Sequence, residues 1–378
     1  MAYGGDALGH AGGQAIFVAG GIAGETVRAQ IVEQHRQFAR ARLVEVLAPA
    51  PDRVAPRCPH FGFDAAACGG CQWQHIAYAA QLRFKTHIVR EQLQRIGRIA
   101  DPPVRDALPS LDVWAYRNHA RFSVTPGGRP GFQAARSHRV IPVDVCHIVQ
   151  PPILDWLRAN QPVGESASQR ISVRAASFQP PTLAPQASAG VSNFHIKGVT
   201  FRVSAGSFFQ VNTSLIETLI DQVITRLAPR QPETILDAYC GVGLLTRFIA
   251  PRAGRVIGIE SSASASADAR VNLAAFERVD LREGLVEAIL PAIHDRVDAA
   301  VVDPPRAGCG PQVIRALIEK QIDRLVYVSC DPATLARDIR ILIDHGYQLI
   351  EVQPVDMFPH TYHIESIALL LRVNHVIL

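Results

Sequence analysis

The sequence predicts an α/β protein: a Rossmann-like, mainly parallel sheet from about residue 206 onward, preceded by a small N-terminal β-barrel and a β-rich central segment. Three observations carry this. From 206 on, apolar runs of strand length alternate with helical segments, in "TILDAYCGVGLLT", "RVIGIES", "VDAAVVDPPRAG", "RLVYVSCDP", "QLIEVQPVDMF" and "IESIALLLR". Strands this apolar are buried on both faces, as in a parallel sheet covered by helices. Residues 1–50 instead alternate short apolar runs with glycines, the rhythm of short strands and tight turns. The length, 378 residues with 48% apolar and 19% charged content, gives room for two or three cores.

In chain order, "AIFVAGGIAGETVRAQIVE" and "FARARLVEVL" predict an OB-like barrel of about five strands over 1–50. The proline-rich "APAPDRVAPRCPH" at 48–60 reads as a linker. Apolar residues at helical spacing, closed by a glycine, predict a helix over 77–97. Short strands return over 113–203, interrupted at 179–190 by "QPPTLAPQASAG", read as a mobile surface loop. The implied division is 1–50, 51–205 and 206–378. No internal repeat is present.

No apolar run reaches the ~18–20 residues of a membrane span, and the N-terminus lacks a signal-peptide pattern, so a cytoplasmic protein without membrane attachment is expected. Charge is uneven. Residues 1–204 hold 22 Lys and Arg against 13 Asp and Glu, and residues 205–378 hold 16 against 21. The basic front half is therefore the expected nucleic-acid face. Only three of the 38 basic residues are lysines, which fits phosphate binding and codon usage equally.

Ligands of open α/β sheets bind beyond the carboxyl ends of the strands, so strand ends are where chemistry is sought. The first ends "LDAYCGVG", with Asp237 followed by Gly241 and Gly243; the second ends at Glu260. A glycine turn followed by a strand-terminal acid suits an adenosine-type ligand. Thr246 replaces the third glycine of a dinucleotide fingerprint, which favours S-adenosylmethionine over a nicotinamide cofactor. A glycine pair serving only a tight turn is the plainer alternative. "VVDPPRAG" resembles the rigid loop of base amino-group methyltransferases, but Arg306 stands where those carry an aromatic residue, against amino-group chemistry.

Another strand ends at Ser329 and Cys330, just before the helix start "DPATLARD". A helix N-terminus there is expected to lower the thiol pKa, although strand-end cysteines are often inert core residues. In "PHTYHIES", Glu365 is preferred over His360 and His363 as a proton acceptor in the same crevice. Of seven cysteines, Cys58, Cys68, Cys71 and Cys146 fall in the first half, with Cys68 and Cys71 as C-G-G-C. Four thiolates suit zinc or a cubane iron–sulfur cluster.

In this order, and downstream of C-x-x-C, "FFQVN" (208–212), "DAYCGVG", "DPPRAG", "SCDPATLARD" and "MFPHTYHIES" resemble the RNA uracil-5-methyltransferases of the iron–sulfur type. The first 50 residues resemble the TRAM module, a small RNA-binding barrel. The resemblance spans essentially the whole chain and implies a Rossmann-like S-adenosylmethionine-dependent methyltransferase domain. It makes Cys330 the nucleophile that adds to carbon 6 of uracil and Glu365 the base that removes the carbon 5 proton. It places Gln210, Tyr239, Glu260 and Asp303 at the cofactor, and Cys58, Cys68, Cys71 and Cys146 on a 4Fe-4S cluster. The implied partner is RNA, with 23S ribosomal RNA favoured over transfer RNA and no protein partner indicated. An RNA-binding assembly factor without turnover is the alternative. Three positions depart from the family pattern: nine residues separate Cys58 from Cys68 instead of five, and Leu244 and Gly284 stand where some relatives carry Asn.

Overall fold

The structure, a computed structural model, describes residues 1–125, 127–135, 137–160, 170–177, 179–183 and 190–373. Strands β1 (Ala7–Ala11), β2 (Gln14–Ala19), β3 (Thr26–Gln34) and β4 (Phe38–Ala48) form one sheet in the order β1-β2-β4-β3. The expected barrel of about five strands is thus a four-stranded sheet among the described residues, and β2 and β4 pair in parallel. Helix α1 (Tyr78–Arg95) follows, as its periodicity predicts.

A second sheet, in the order β7-β6-β5-β8-β9, contains β5 (His119–Val124), β6 (Pro130–Gln133), β7 (Val140–Pro142), β8 (Arg170–Ala176) and β9 (Gln179–Leu183); α2 (Pro151–Asn160) lies between β7 and β8 in the chain. The loop predicted at 179–190 is corrected in its first part. Gln179–Leu183 pairs antiparallel with β8, because its backbone meets an open sheet edge that local proline content does not reveal. Residues 184–189 lie outside the described residues.

The hairpin β10 (Val191–Ile196) and β11 (Val199–Ser204) leads into α3 (Thr213–Leu227). Then β12 (Thr234–Ala238), α4 (Leu244–Ile249), β13 (Arg255–Glu260), α5 (Ala263–Asn272), β14 (Val279–Glu283), α6 (Val286–Ile289), β15 (Ala299–Val302), α7 (Pro311–Glu319), β16 (Arg324–Ser329), α8 (Pro332–Asp344), β17 (Tyr347–Val355) and β18 (Glu365–Arg372) complete the chain. The seven strands β12–β18 form one sheet in the order β14-β13-β12-β15-β16-β18-β17. β12–β16 pair in parallel and β18 runs antiparallel to both neighbours.

Alternate residues of these strands enter two separate cores, which is why the strands read as continuously apolar. Leu236, Ala238, Ala300, Val302, Leu325 and Tyr327 pack with α1, α7 and α8. Ile235, Ala299, Val301, Val326 and Val328 pack with α3, α4 and the β10–β11 hairpin. Residues before 206 therefore complete both faces: Ile88, Val89 and Leu93 of α1 are buried on one, Phe194 and Phe201 of the hairpin on the other. Full burial of each such side chain stabilises the fold by about 1.5–3 kcal/mol. Among the described residues no helix is long and apolar enough to cross a membrane.

Candidate active site

The turn after β12 is shaped by three left-handed residues, Tyr239, Gly241 and Gly243, at φ +66°, +56° and +84°. The two glycines serve different ends. A Cβ on Gly243 would lie 2.7 Å from Leu273 Cδ1, so Leu273 would have to shift to admit it, whereas a Cβ on Gly241 would meet nothing within 4 Å. Open space at Gly241 is what a ligand approaching the backbone needs. Gln210, Asp237, Tyr239, Gly241 and Asp303 line one cavity there, with the exposed ring of Phe208 at its rim.

Glu260 is not a wall of that cavity. Its carboxylate accepts from the Gly241 amide at 2.9 Å and the Ser262 amide at 2.6 Å, tying the glycine turn to the start of α5. Asp237 is buried and accepts from the Thr246 hydroxyl at 2.5 Å. The residue that displaces the third glycine thus anchors the first strand end. Burial pushes Asp237 up to about 7.

Cys330 and Glu365 lie side by side because of strand register. Antiparallel pairing sets Ser329 opposite Ser366, so Cys330, the first residue beyond β16, and Glu365, the first of β18, are neighbours. Asp303, just beyond β15, completes the cluster. Burial, then the carboxylates of Glu365 and Asp303, push the Cys330 thiol up to about 12, against the opposing charge of Arg306. The lowering expected from the start of α8 is not found. The free amides that would favour a thiolate are occupied: Asp331 caps the helix, its Oδ1 accepting from Ala333 and Thr334 at 3.0 and 3.1 Å. Burial and Asp237 push Asp303 up to about 7; burial and Asp303 hold Glu365 well above the ordinary carboxyl range. The site therefore sets a protonated thiol beside one carboxyl, Glu365, that keeps its proton near neutrality and another, Asp303, that titrates there.

The loops are fixed from behind. Asp338 accepts from the Cys309 amide at 2.8 Å and the Tyr327 hydroxyl at 2.7 Å, and Arg337 donates to Ala307 O at 2.8 Å, binding the "DPPRAG" loop to α8. The segment before Glu365 hangs on α1 and the cysteine region. Lys85 bonds Asp356 at 2.5 Å and Phe358 O at 3.1 Å, and the amides of Gln72 and Trp73 donate to His360 O at 3.0 and 2.9 Å. Trp114 stacks on His360 with ring centroids 3.7 Å apart. Burial lowers both His360 and His363 to about 4, so neither imidazole is charged at neutral pH. Lys85 and Trp114 give no local signal of this role.

Cys58, Cys68, Cys71 and Cys146 line a second cavity, with Arg117, Phe132 and Val143 in its wall. The long spacing after Cys58 is taken up by a turn in which Ala67 N donates to Asp64 O at 3.2 Å, and Cys58 lines the same cavity as the other three. All four are free thiols. Among the described residues no three His, Cys, Asp or Glu close around a single metal ion. The four thiols share one partly apolar cavity without closing on a common centre.

A sequence profile described as "tRNA (Uracil-5-)-methyltransferase" matches residues 293–373, the stretch holding Asp303, Cys330 and Glu365. A protein from Streptomyces avermitilis described as an uncharacterized RNA methyltransferase is 35% identical over 95% of this chain and 93% of its own length. The chain belongs to the RNA uracil-5-methyltransferase family. Another relative with the same description, from Streptomyces coelicolor, is 36% identical over 95% of this chain and 88% of its own. The crystal structure of Pyrococcus abyssi tRNA (uracil-54, C5)-methyltransferase in complex with S-adenosyl-L-homocysteine superposes with a TM-score of 0.73. It covers 94% of this chain and 95% of that one at 23% identity, and thus shares the fold.

Proposed function

We propose that this RNA methyltransferase transfers a methyl group from S-adenosylmethionine to carbon 5 of a uridine, through a covalent bond between Cys330 and the base. One observation carries the reading: β-sheet register sets a thiol beside a buried carboxyl at the strand ends, next to the cavity of Gln210, Tyr239 and Asp303. Carbon 5 of uracil is a poor nucleophile, and addition of sulfur to carbon 6 makes it an enolate carbon. S-adenosylmethionine supplies the electrophilic methyl group on a sulfonium. Cys330 gives up its proton as it adds, and Asp303, whose carboxyl titrates near neutrality, is in its ionised form the acceptor at hand. Once carbon 5 carries the methyl group, Glu365, having released its own proton toward solvent, removes the remaining hydrogen there as a carboxylate. The electrons of that C–H bond restore the double bond and expel Cys330. The base must leave its stack for the thiol to reach it.

Ribosomal RNA is the proposed target, on the strength of the four-thiol cavity together with the resemblance to the iron–sulfur type. Cys58, Cys68, Cys71 and Cys146 would hold a 4Fe-4S cluster with a structural role. Transfer RNA remains the second reading, supported by the description of the matching profile. The protein is proposed to be cytoplasmic, its residues 1–50 a TRAM-like RNA-binding unit. Two experiments test this. RNA mass spectrometry of cells lacking the protein should lose one 5-methyluridine, and the RNA that loses it names the substrate. Glu365→Gln should slow turnover by about 10²–10⁴-fold and accumulate a protein–RNA adduct at Cys330; absence of any adduct, also with 5-fluorouridine RNA, would refute the covalent route.

A further inference from the structure

The segment before β1 crosses to the reactive end of the seven-stranded sheet. Gly4 and Gly5, at φ +97° and +96°, close a turn in which Ala2 N donates to Asp6 O at 2.9 Å and Gly5 N to Ala2 O at 3.1 Å. The turn is clamped on two sides. The buried Trp73 indole donates to Gly5 O at 2.9 Å, and a Cβ on Gly5 would lie only 3.0 Å from Tyr362 Cδ1. Its apex carries Tyr3, whose ring is 37% exposed and whose hydroxyl donates to Asp331 Oδ2. Asp331 follows Cys330, and its other oxygen is the cap of α8.

We propose that Tyr3 is a positioning residue for the reactive thiol: its hydroxyl holds the second oxygen of Asp331, fixes the Cys330–Asp331 peptide at the helix start, and withdraws charge from the carboxylate next to the sulfur. The functional consequence rests on Cys330 being the nucleophile. Four groups bear on the thiol: Asp331 capping α8, Glu365 on β18, Asp303 after β15, and Arg306 in the loop that follows. Asp331, Arg306 and Tyr362 face the phenol, and His363 faces Asp331 and Arg306. Of the three carboxyls near the sulfur, Asp331 is the one a phenol reaches. Removing the phenolic hydroxyl leaves a full negative charge beside the thiol and disfavours the thiolate.

The test reads Cys330 directly. Iodoacetamide alkylation of the full-length protein at pH 8, resolved by peptide mass spectrometry, is compared in wild type, Tyr3→Phe, Asp331→Asn and the double variant. Tyr3→Phe is expected to slow alkylation of Cys330 about threefold, the effect of a half-unit rise in thiol pKa. Asp331→Asn should abolish the effect of the second substitution. Methyl transfer by Tyr3→Phe should show a lowered kcat with the KM for RNA unchanged. Unchanged or faster alkylation, equal slowing in the Asp331→Asn background, or a raised KM at unchanged kcat would each overturn the proposal. The alkylation readout needs no turnover, so retained activity in Cys330→Ala would sink the nucleophile assignment while leaving the Tyr3–Asp331 linkage separately decided.

Discussion

Two thiol environments in this chain are raised alike but stand among different neighbours. Cys71 and Cys330 are both pushed up to about 12, in each case chiefly by burial. The neighbours differ. Around Cys71 the further contributions come from Cys146, Cys68 and Cys58, with Gln74 opposing. Around Cys330 they come from Glu365, Asp303 and Asp331, with Arg306 opposing. Thiols surrounded by thiols have no proton acceptor, and lose their protons only when a metal displaces them. A thiol among carboxyls that themselves titrate near or above neutrality can pass its proton to a neighbour and receive it back. Local composition, not acidity, separates the four-thiol cavity from the proposed reactive site.

The largest expected effect breaks the comparison at its centre. Cys330→Ala should reduce methyl transfer by about 10⁴-fold or more, as loss of a covalent nucleophile does, with iron and sulfide content unchanged. Cys71→Ser should do the reverse: iron and sulfide fall after anaerobic purification, while turnover per folded molecule falls far less. Zinc in place of iron in the wild-type protein would overturn the cluster assignment.

The next effect concerns what joins the two regions. Lys85 and Asp356 are paired with no solvent exposure on either side chain, and Lys85 also holds Phe358 O in the segment leading to Glu365. Lys85→Met strands a buried carboxylate and should cost about 3–5 kcal/mol. A urea midpoint that hardly moves would show the pair to be dispensable. Pairing it with Asp356→Leu should recover much of the loss, because the two uncompensated charges then disappear together.

Proton binding sharpens the contrast further, since the reactive end of the sheet carries raised carboxyls and the cysteine cavity does not. Asp237 titrates at about 7 in the folded chain against 3.8 ordinarily, so the folded state holds its proton more tightly between those values. Its contribution is whole below pH 3.8 and is lost as pH rises to about 7. Asp237→Asn keeps an acceptor for Thr246 and removes the titration. Its stability should therefore decline less across that window, by roughly 2–4 kcal/mol, measured by urea unfolding at stepped pH.

Much of the site was legible because its signals are local. Asp237, Asp303 and Cys330 each end an apolar strand, and strand ends can be read off a sequence. The four cysteines were countable, but their convergence on one cavity is tertiary. What stayed hidden depends on long-range contact: Tyr3 and Asp331 are 328 positions apart, Lys85 and Asp356 271. No periodicity reports such pairs. The expected acid thiol failed for a related reason, since the helix start was visible but the burial and the carboxyls of two other strands were not. Glu260 was found as a strand-terminal acid, yet its carboxylate proves to hold two backbone amides.

The smallest effect tests whether the cysteine region steadies the reactive one through an aromatic contact. Trp114 lies flat on His360 at an interplanar angle of 20°, with the Arg57 guanidinium 5.4 Å from its ring. His360 in turn receives the Gln72 and Trp73 amides on its carbonyl, so the stack and the C-G-G-C loop grip the same residue. Trp114→Leu keeps apolar bulk and removes the stack, which should cost about 1 kcal/mol. If the segment from Asp356 to Glu365 transmits that loosening, turnover falls severalfold while iron content holds. If turnover is untouched at the same loss of stability, the two thiol regions share a scaffold but not a function, because the hydrogen bonds to His360 and Lys85 alone then suffice to seat Glu365.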